Sequence, residues 1–404
     1  MRNFQKSRKI DNVSYDIRGP VLDEANRMEA EGTKILKLNI GNPSPFGFTA
    51  PEGIINEMTA NLTSTEGYSN SKGIPEARQA IMEYCKFKGI PNVGMDDIFT
   101  GNGASELITM AMQGLLDPGD EVLVPAPDYP LWTASVTLAG GTAVHYICDE
   151  EADWNPDIDD IKKKITPNTK GIVIINPNNP TGTVYTKDLL EQLVQVAREN
   201  GLIIFADEIY DRLVYEGETH IAVASLAPDL MTVCFNGLSK SHKLCGYRIG
   251  WMCLAGDKSH AKGYIEGLNL LSTLRLCSNV PGQSLIPYAL KDAGTIDESL
   301  KPGGRIYDQG EFIYKAMNSI PGISAKKPRG AFYLFPKIDT NMYKITNDKD
   351  FALDLLRKEH VLITAGTGFN WINPDHFRIV FLPEIETLKA AAEKFEHYFN
   401  NFSL

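Results

Sequence analysis

The sequence of 404 residues has few of the features that mark membrane, secreted or metal-binding proteins. No apolar run approaches the roughly 20 residues that span a bilayer, and the basic N-terminal segment lacks the apolar stretch of a secretory signal. The six cysteines include no CxxC pair, and the seven histidines form no HxxxH or HExxH spacing. We therefore expect no transmembrane segment, no disulfide framework and no metal site, and we predict a cytoplasmic protein.

Positive charge is also in short supply. The chain carries 40 Lys and Arg residues against 51 Asp and Glu residues, which gives a formal net charge of −11. A non-specific nucleic-acid binder needs a net basic face, so we expect neither nucleic acid nor a membrane surface as a partner. Hydrophobic residues at 43% and charged residues at 23% are typical of a folded globular protein. A chain of this length predicts two or three domains.

Short apolar runs alternate with amphipathic segments in the first two thirds of the chain. The runs that we interpret as buried strands are DEVLVPAP, GIVIINP, GLIIFADE and MTVCFNG, and the helical patterns are SELITMAMQGLL and TKDLLEQLVQVARENG. Such alternation predicts an α/β domain with a mainly parallel sheet. Ligands bind beyond the carboxyl ends of the strands in such sheets. The residues at those ends are Pro127, Asn176, Asp207 and Gly237.

The last hundred residues have a different pattern. GAFYLFPKI and HFRIVFLP are typical of strands, and FALDLLRKEH between them is typical of a helix. We interpret this region as a smaller α+β domain that the N-terminal segment joins. The predicted division is a large domain over residues 46–300 and a small domain over residues 1–45 and 301–404.

A lysine follows the last predicted strand of the large domain, and an arginine follows eight residues later. A lysine amine becomes a nucleophile that can form a Schiff base when its pKa is depressed, so Lys240 is a candidate catalytic residue. A solvated loop lysine is the alternative. The arginine, Arg248, lies between Tyr247 and Ile249.

Two charged residues interrupt apolar strands. Asp207 closes a buried run, where a carboxylate needs a cation or donors, so it either caps a helix over residues 208–211 or pairs with a protonated ring nitrogen. Arg378 lies in the strand FRIVF, where it either pairs with an internal carboxylate or binds a substrate carboxylate in bidentate fashion.

Two loops are candidate cofactor contacts. The stretch TGNGASE leads into a helix, whose first amides and the Ser105 hydroxyl can bind phosphate, although Ser105 could equally be an N-cap. Glu106 stands where a dinucleotide fingerprint requires glycine, and the sequence contains no P-loop. Asn179 lies in the turn NPNNPTG, which either closes a loop or presents an amide to a ring oxygen.

In combination, these motifs resemble the class I pyridoxal-phosphate aminotransferases of fold type I. The resemblance rests on Asn179-Pro-Thr-Gly, Asp207-x-x-Tyr210 and Ser239-Lys240 with Arg248, and the matches extend from Gly41 to Arg378. Within this family the chain is similar to the glutamate–pyruvate (alanine) aminotransferases of bacteria, through SYDIRGPV, LNIGNPSPFGF, VPAPDYPLW and GTGFNW. The implied fold is a mainly parallel seven-stranded sheet flanked by helices, with a smaller α+β domain.

The resemblance implies a set of contacts with pyridoxal 5′-phosphate. Lys240 would attach the cofactor and move the substrate proton, and Asp207 would pair with the ring nitrogen. The contacts implied for the ring and the phosphate are Asn179 and Tyr210 at the phenolic oxygen, Tyr129 on the ring face, and Ala104, Ser105, Ser239 and Arg248 at the phosphate. Tyr68 would reach the phosphate in the other subunit of a homodimer.

The substrate contacts follow in the same way. Arg378 would bind the α-carboxylate, Asn179 would lie beside it, and the amide of Gly41 would close over the substrate. Arg18 is the candidate for the distal carboxylate of glutamate, with Tyr15 beside it, because the N-terminal arm of relatives lies over the active site. A salt bridge that anchors this arm is the alternative role of Arg18.

The predicted reaction moves an amino group between L-alanine/pyruvate and 2-oxoglutarate/L-glutamate by a ping-pong mechanism. The alternatives are an aromatic-amino-acid aminotransferase and a cysteine-S-conjugate or cystathionine β-lyase that uses the same cofactor. A transcription regulator with an aminotransferase-like domain is disfavoured, because 40 residues before Gly41 leave little room for a DNA-binding domain. The predicted partners are amino acids and 2-oxo acids.

Overall fold

The structure is a computed structural model, and it describes residues 2–11, 13, 19–292, 294 and 297–402. Within these ranges, no helix is both long and apolar enough to cross a membrane. The strands are β1 Leu36–Lys37, β2 Ile98–Asn102, β3 Glu121–Ala126, β4 Thr142–Asp149, β5 Asn155–Pro156, β6 Thr169–Ile175, β7 Ile203–Asp207, β8 Thr232–Gly237, β9 Ile249–Ala255, β10 Ile323–Ser324, β11 Tyr333–Leu334, β12 Lys337–Ile338, β13 Val361–Leu362, β14 Thr364–Ala365 and β15 Phe377–Val380.

Helices surround these strands. They are α1 Pro20–Ala30, α2 Glu52–Asn61, α3 Pro75–Phe87, α4 Ala104–Leu115, α5 Leu131–Ala139, α6 Ile158–Lys164, α7 Lys187–Asn200, α8 Lys262–Leu274, α9 Val280–Gln283, α10 Ile286–Leu290, α11 Arg305–Asn318, α12 Thr340–Tyr343, α13 Asp348–Glu359 and α14 Ile385–Asn400. Helix α7 shows why the predicted boundaries hold. The Thr186 side chain accepts a hydrogen bond from the Leu189 amide, and Gly201 ends the helix with a φ of 62°.

A central sheet has the strand order β2-β9-β8-β7-β6-β3-β4-β5. Strands β3, β4, β6, β7 and β8 pair in parallel, and β9 and β5 run antiparallel to their neighbours. The mainly parallel sheet is therefore confirmed, but its strand count of seven is wrong. The eighth strand is β5, two residues that pair with the end of β4 and are too short to give a pattern in the sequence.

The sheet is buried on both faces. Val122 and Val124 of β3 belong to one hydrophobic cluster, while Leu123 between them belongs to another. Strands buried on both faces have continuous apolar sequences, which is why the four runs singled out in the sequence correspond to β3, β6, β7 and β8. Each buried aliphatic side chain contributes about 1.5–3 kcal/mol to stability.

The C-terminal region forms smaller sheets, of which β11-β15-β14 is antiparallel. The sequence GAFYLFPKI, expected to be one strand, is instead two. Tyr333–Leu334 pairs with β15, and Lys337–Ile338 pairs with β10. Pro336 lies between the two strands. Proline interrupts a strand because it has no amide hydrogen to donate to a sheet and restricts the preceding residue.

A separate hydrophobic cluster joins the two ends of the chain. It contains Leu38, then Leu300 and later residues as far as Phe399, and it also includes Tyr210 from the loop after β7. That loop therefore connects the central sheet to the C-terminal region. The domain boundaries at residues 45/46 and 300/301 stay a prediction.

Candidate active site

A cavity of about 310 Å³ opens beyond the carboxyl ends of β6, β7 and β8. This is the edge of a mainly parallel sheet where ligands bind. The predicted residues that line it are Gly41, Ala104, Ser105, Tyr129, Asn179, Asp207, Tyr210, Ser239, Lys240, Arg248 and Arg378. The other lining residues, which no sequence motif singled out as site residues, are Ile40, Asn42, Ile108, Ile175, Ile209, Cys245 and Tyr333. Residues from across the chain thus meet in one place.

Three predicted residues are not among those that line this cavity. Tyr68 is 83% exposed and lies elsewhere on the surface of the same chain. Tyr15 and Arg18 lie outside the described residues. The expected roles of all three stay predictions.

The amine of Lys240 faces the cavity. Lys240 lies three residues after the end of β8, and its Nζ donates a hydrogen bond of 2.8 Å to the carbonyl of Gly41. The ammonium also lies 5.8 Å from the centre of the Phe332 ring. These contacts hold the side chain inward, so the solvated-loop interpretation is wrong.

Asp207 ends β7 and is 4% exposed. The indole Nε1 of Trp132 donates to its Oδ2 at 2.9 Å, and the amide of Ile209 donates to its Oδ1 at 3.4 Å. Residues 208–211 form a turn, so the predicted helix and its Asp207 cap are wrong. Burial raises the pKa of the Asp207 carboxyl, and the Trp132 hydrogen bond opposes that rise. A cation in the cavity would satisfy this carboxylate.

The start of α4, with Ser105 and the nearby Arg248, forms a phosphate cradle. The helix begins at Ala104 after Gly103, so Ser105 lies inside the helix and its predicted N-cap role is wrong. A Cβ on Gly103, whose φ is 81°, would lie 2.2 Å from Nη2 of Arg248. The Arg248 guanidinium donates to the carbonyls of Cys245 at 2.9 Å and Asn102 at 3.2 Å. Unpaired amides at a helix N-terminus and a fixed guanidinium suit a phosphate group.

The guanidinium of Arg378 is buried at the cavity wall. Its Nη1 donates to Oδ1 of Asn179 at 2.8 Å, and its Nη2 donates to the carbonyl of Asn39. The guanidinium carbon lies 4.6 Å from the ring centre of Tyr333 and 4.5 Å from that of Phe369. A desolvated guanidinium of fixed orientation is suited to binding a carboxylate.

The predicted residue Tyr210 is paired with Tyr333, which the sequence motifs did not indicate. Their hydroxyl oxygens lie 2.6 Å apart, and burial together with the neighbouring Tyr333 raises the pKa of Tyr210 above its usual value. Tyr333 also restricts position 41, because a Cβ on Gly41 would lie 2.3 Å from the Tyr333 hydroxyl. Only glycine therefore fits this close approach.

The loop that carries Tyr129 is held by its neighbour Asp128. Asp128 is fully buried and accepts hydrogen bonds from Nδ2 of Asn370 at 2.7 Å and Oγ1 of Thr133 at 3.0 Å. Its amide donates to the carbonyl of Phe369 at 2.9 Å. Tyr129 is thus fixed at the cavity wall by a segment from the C-terminal region.

These parts together define what the cavity can hold. An amine, a buried carboxylate, a phosphate cradle and an aromatic side chain suit a planar phosphorylated aldehyde with a basic ring nitrogen. The buried guanidinium of Arg378 suits a substrate carboxylate beside it.

Comparison with known proteins gives a consistent result. The sequence model of the family "Aminotransferase class I and II" matches residues 33–395. The glutamate-pyruvate aminotransferase AlaA of Escherichia coli is 55% identical over 402 residues, which cover 100% of this chain and 99% of that protein. The crystal structure of an aminotransferase from Escherichia coli has a TM-score of 0.98, 55% identity and complete coverage of both chains. The alanine aminotransferase of Pyrococcus furiosus has a TM-score of 0.91 and 39% identity over 98% of this chain and 100% of that chain. The chain therefore belongs to the class I and II aminotransferases.

Proposed function

We propose that this aminotransferase uses pyridoxal 5′-phosphate to exchange an amino group between L-alanine/pyruvate and L-glutamate/2-oxoglutarate by a ping-pong cycle. The observation that carries the proposal is that the Lys240 amine, the Asp207 carboxylate and the Arg378 guanidinium line one cavity. The substrate pair is supported by the names of relatives at 55% identity over 402 residues and at 51% over 398 residues, a glutamate-pyruvate aminotransferase and an alanine aminotransferase.

The cofactor contacts follow from the donors around the cavity. When bound, the cofactor supplies an electron sink for the charge that develops at the substrate α-carbon. Asp207 would accept a hydrogen bond from the protonated ring nitrogen, and Asn179 and Tyr210 would hold the ring oxygen. The amides of α4 with Ser105, Ser239 and Arg248 would bind the phosphate, and Tyr129 would pack on the ring; all of these side chains line the cavity.

The substrate contacts place the reacting carbon beside a base. Arg378 binds the α-carboxylate, which alanine, pyruvate, glutamate and 2-oxoglutarate all carry. Gly41 lets the chain pass close to the substrate, and its carbonyl accepts a hydrogen bond of 2.8 Å from Lys240 Nζ, which keeps the amine in the cavity. The free Lys240 amine would receive the proton from the substrate α-carbon and pass it to the bound cofactor. A base positioned in this way contributes roughly 10²–10⁴-fold to the rate.

A coupled assay tests the reaction directly. The purified protein is given L-alanine with and without 2-oxoglutarate, and pyruvate and glutamate are measured. Pyruvate that forms only with 2-oxoglutarate, in step with glutamate, supports the proposal. Pyruvate without an acceptor would point to a β-lyase, and no pyruvate in either reaction would direct the search to aromatic amino acids.

We also propose a homodimer located in the cytoplasm. The dimer is supported by large apolar side chains left on the surface of this chain, among them Tyr68 at 83% exposure, Leu270 at 61% and Leu274 at 70%. In the dimer, Tyr68 would contact the cofactor phosphate of the partner subunit. Light scattering at several protein concentrations tests the assembly, and loss of cofactor affinity in Tyr68→Ala tests the shared site. Cell fractionation tests the location.

A further inference from the structure

Residues 39–42 run along one wall of the cavity and contact three side chains in order. Arg378 donates to the carbonyl of Asn39, Lys240 Nζ donates to the carbonyl of Gly41 at 2.8 Å, and the thiol of Cys245 donates to Oδ1 of Asn42 at 3.2 Å. For a substrate whose α-carboxylate lies at Arg378 and whose α-carbon lies at Lys240, Asn42 is the next polar side chain along this wall.

The two proposed amino donors place different groups at that end. Alanine carries a methyl group, whereas glutamate carries a second carboxylate. A fixed cation there would suit glutamate but would have no partner when alanine is bound. The cations among the described lining residues are Lys240, Arg248 and Arg378, and each already has a proposed partner. A neutral donor satisfies both substrates.

Asn42 has such a donor. Its Oδ1 accepts a hydrogen bond from the Cys245 thiol. Because no described residue accepts a hydrogen bond from its Nδ2, the Nδ2 hydrogens remain for a ligand. The other uncharged candidate on this wall, the Tyr333 hydroxyl, is already paired with Tyr210 at 2.6 Å. The Cys245 contact thus orients the carboxamide with its amino group available to the cavity.

We propose that Asn42 Nδ2 binds the distal carboxylate of five-carbon dicarboxylate substrates and that Cys245 orients it, a role that rests on the alanine–glutamate exchange proposed above. A hydrogen bond to a charged group is strong enough to separate the two substrate classes. Removing this hydrogen bond impairs the reactions of glutamate and 2-oxoglutarate and leaves those of alanine and pyruvate nearly unchanged.

Single-turnover half-reactions on the holoenzyme measure this directly. Wild type, Asn42→Ala and Asn42→Asp are mixed separately with L-glutamate and L-alanine, and the rate constants and half-saturation concentrations are compared. We expect Asn42→Ala to lose about 10- to 100-fold in efficiency with glutamate and less than about threefold with alanine. Asn42→Asp, which keeps the side-chain shape, loses more with glutamate because two carboxylates then face each other. Cys245→Ala has a smaller loss of the same kind.

Equilibrium binding gives an independent readout. Glutarate and propionate are unreactive counterparts of the two 2-oxo acids, and their dissociation constants are measured by calorimetric titration. Asn42→Ala raises the dissociation constant of glutarate at least tenfold and leaves that of propionate unchanged. The exposed Asn341→Ala is the matched control and changes neither.

The outcomes separate this proposal from the reaction itself. If wild type does not react with glutamate or alanine, the proposed function fails. If wild type reacts with both but Asn42→Ala and Asn42→Asp affect both equally, or neither, the role of Asn42 is overturned while the function stands. If only Arg18→Ala impairs glutamate selectively, Arg18 binds the distal carboxylate in place of Asn42.

Discussion

The Nη1 of Arg378 donates a hydrogen bond of 2.8 Å to Oδ1 of Asn179, which lies 199 positions earlier in the chain. The bond occupies the carbonyl of the Asn179 carboxamide and leaves its amino group for the cavity. One pair of side chains thus joins the proposed substrate contact to the proposed cofactor contact.

Replacing Asn179 by aspartate should weaken both contacts. In Asn179→Asp a carboxylate beside Arg378 competes with the substrate carboxylate, and no amino group remains for the cofactor. We expect KM to rise at least tenfold for alanine and 2-oxoglutarate alike, because both carry the same α-carboxylate. Steady-state kinetics measure this, with the exposed Asn341→Asp as the control. A rise for only one of the substrates would contradict the shared role of Arg378.

Lys240→Ala removes both the proposed point of covalent attachment and the proposed base. We expect turnover to fall by more than the roughly 10²–10⁴-fold of a positioned base alone. The cofactor should still bind, but without a covalent bond to the chain. Borohydride treatment followed by mass spectrometry should therefore find no added mass on the chain. Lys243→Ala is the matched control, since Lys243 lies in the same loop and pairs with Asp297 at 2.9 Å. Full activity in Lys240→Ala would exclude the proposed mechanism.

Trp132→Phe tests the donor to Asp207. The ring packing against Phe205 and Phe235 is largely kept, but the 2.9 Å hydrogen bond to the carboxylate is lost. The pKa of Asp207, already raised by burial, rises further, so the carboxylate protonates at higher pH. We expect weaker pyridoxal-phosphate binding, with a loss that grows as the pH falls. Titrations of the apoprotein between pH 6 and 9 measure this, and Trp154→Phe, at a tryptophan buried elsewhere, is the control. A uniform loss at every pH would indicate a packing effect only.

Asp128 should make stability depend on pH. Burial raises the pKa of its carboxyl to about 7, whereas the ordinary value is 3.8. The folded state therefore binds more protons than the unfolded state between about pH 4 and 7, and this residue makes stability fall as the pH rises through that range, by up to roughly 4 kcal/mol. Asp128→Asn removes this dependence, so its stability relative to wild type should be higher at pH 8 than at pH 5. Urea unfolding at both pH values measures the difference. An equal stability difference between Asp128→Asn and wild type at both pH values would show that Asp128 does not titrate in this range.

Much of the central sheet could be predicted because its strands are buried on both faces. Strands β6 and β7 have uninterrupted apolar sequences, and helix α7 has a threonine cap and a terminal glycine. Strand β5 could not be predicted, since two residues carry no periodicity. The division of GAFYLFPKI into two strands depends on which partner strands lie nearby, and the sequence offered only Pro336 as a sign of it.

The candidate site divides in the same way. Asp207 and Lys240 could be found because they follow apolar strands, and the residues at these strand ends meet at one edge of a parallel sheet. Trp132, which donates to Asp207, could not be found, nor could Asn42 and Tyr333, which line the cavity, because these contacts depend on how distant segments pack together. Trp132 lies only three residues after Tyr129, but nothing in that spacing indicates a hydrogen bond to Asp207.

The hydrogen bond from Arg378 to the carbonyl of Asn39 spans 339 positions. During synthesis the ribosome makes residues 98–255, which contain the whole central sheet, well before it makes Arg378. The emerging sheet can begin to fold with its phosphate cradle present, but the wall formed by residues 39–42 has no guanidinium to rest on. The contact between Arg378 and the wall formed by residues 39–42 is therefore a late event in synthesis, because it waits until the chain has been made as far as residue 378.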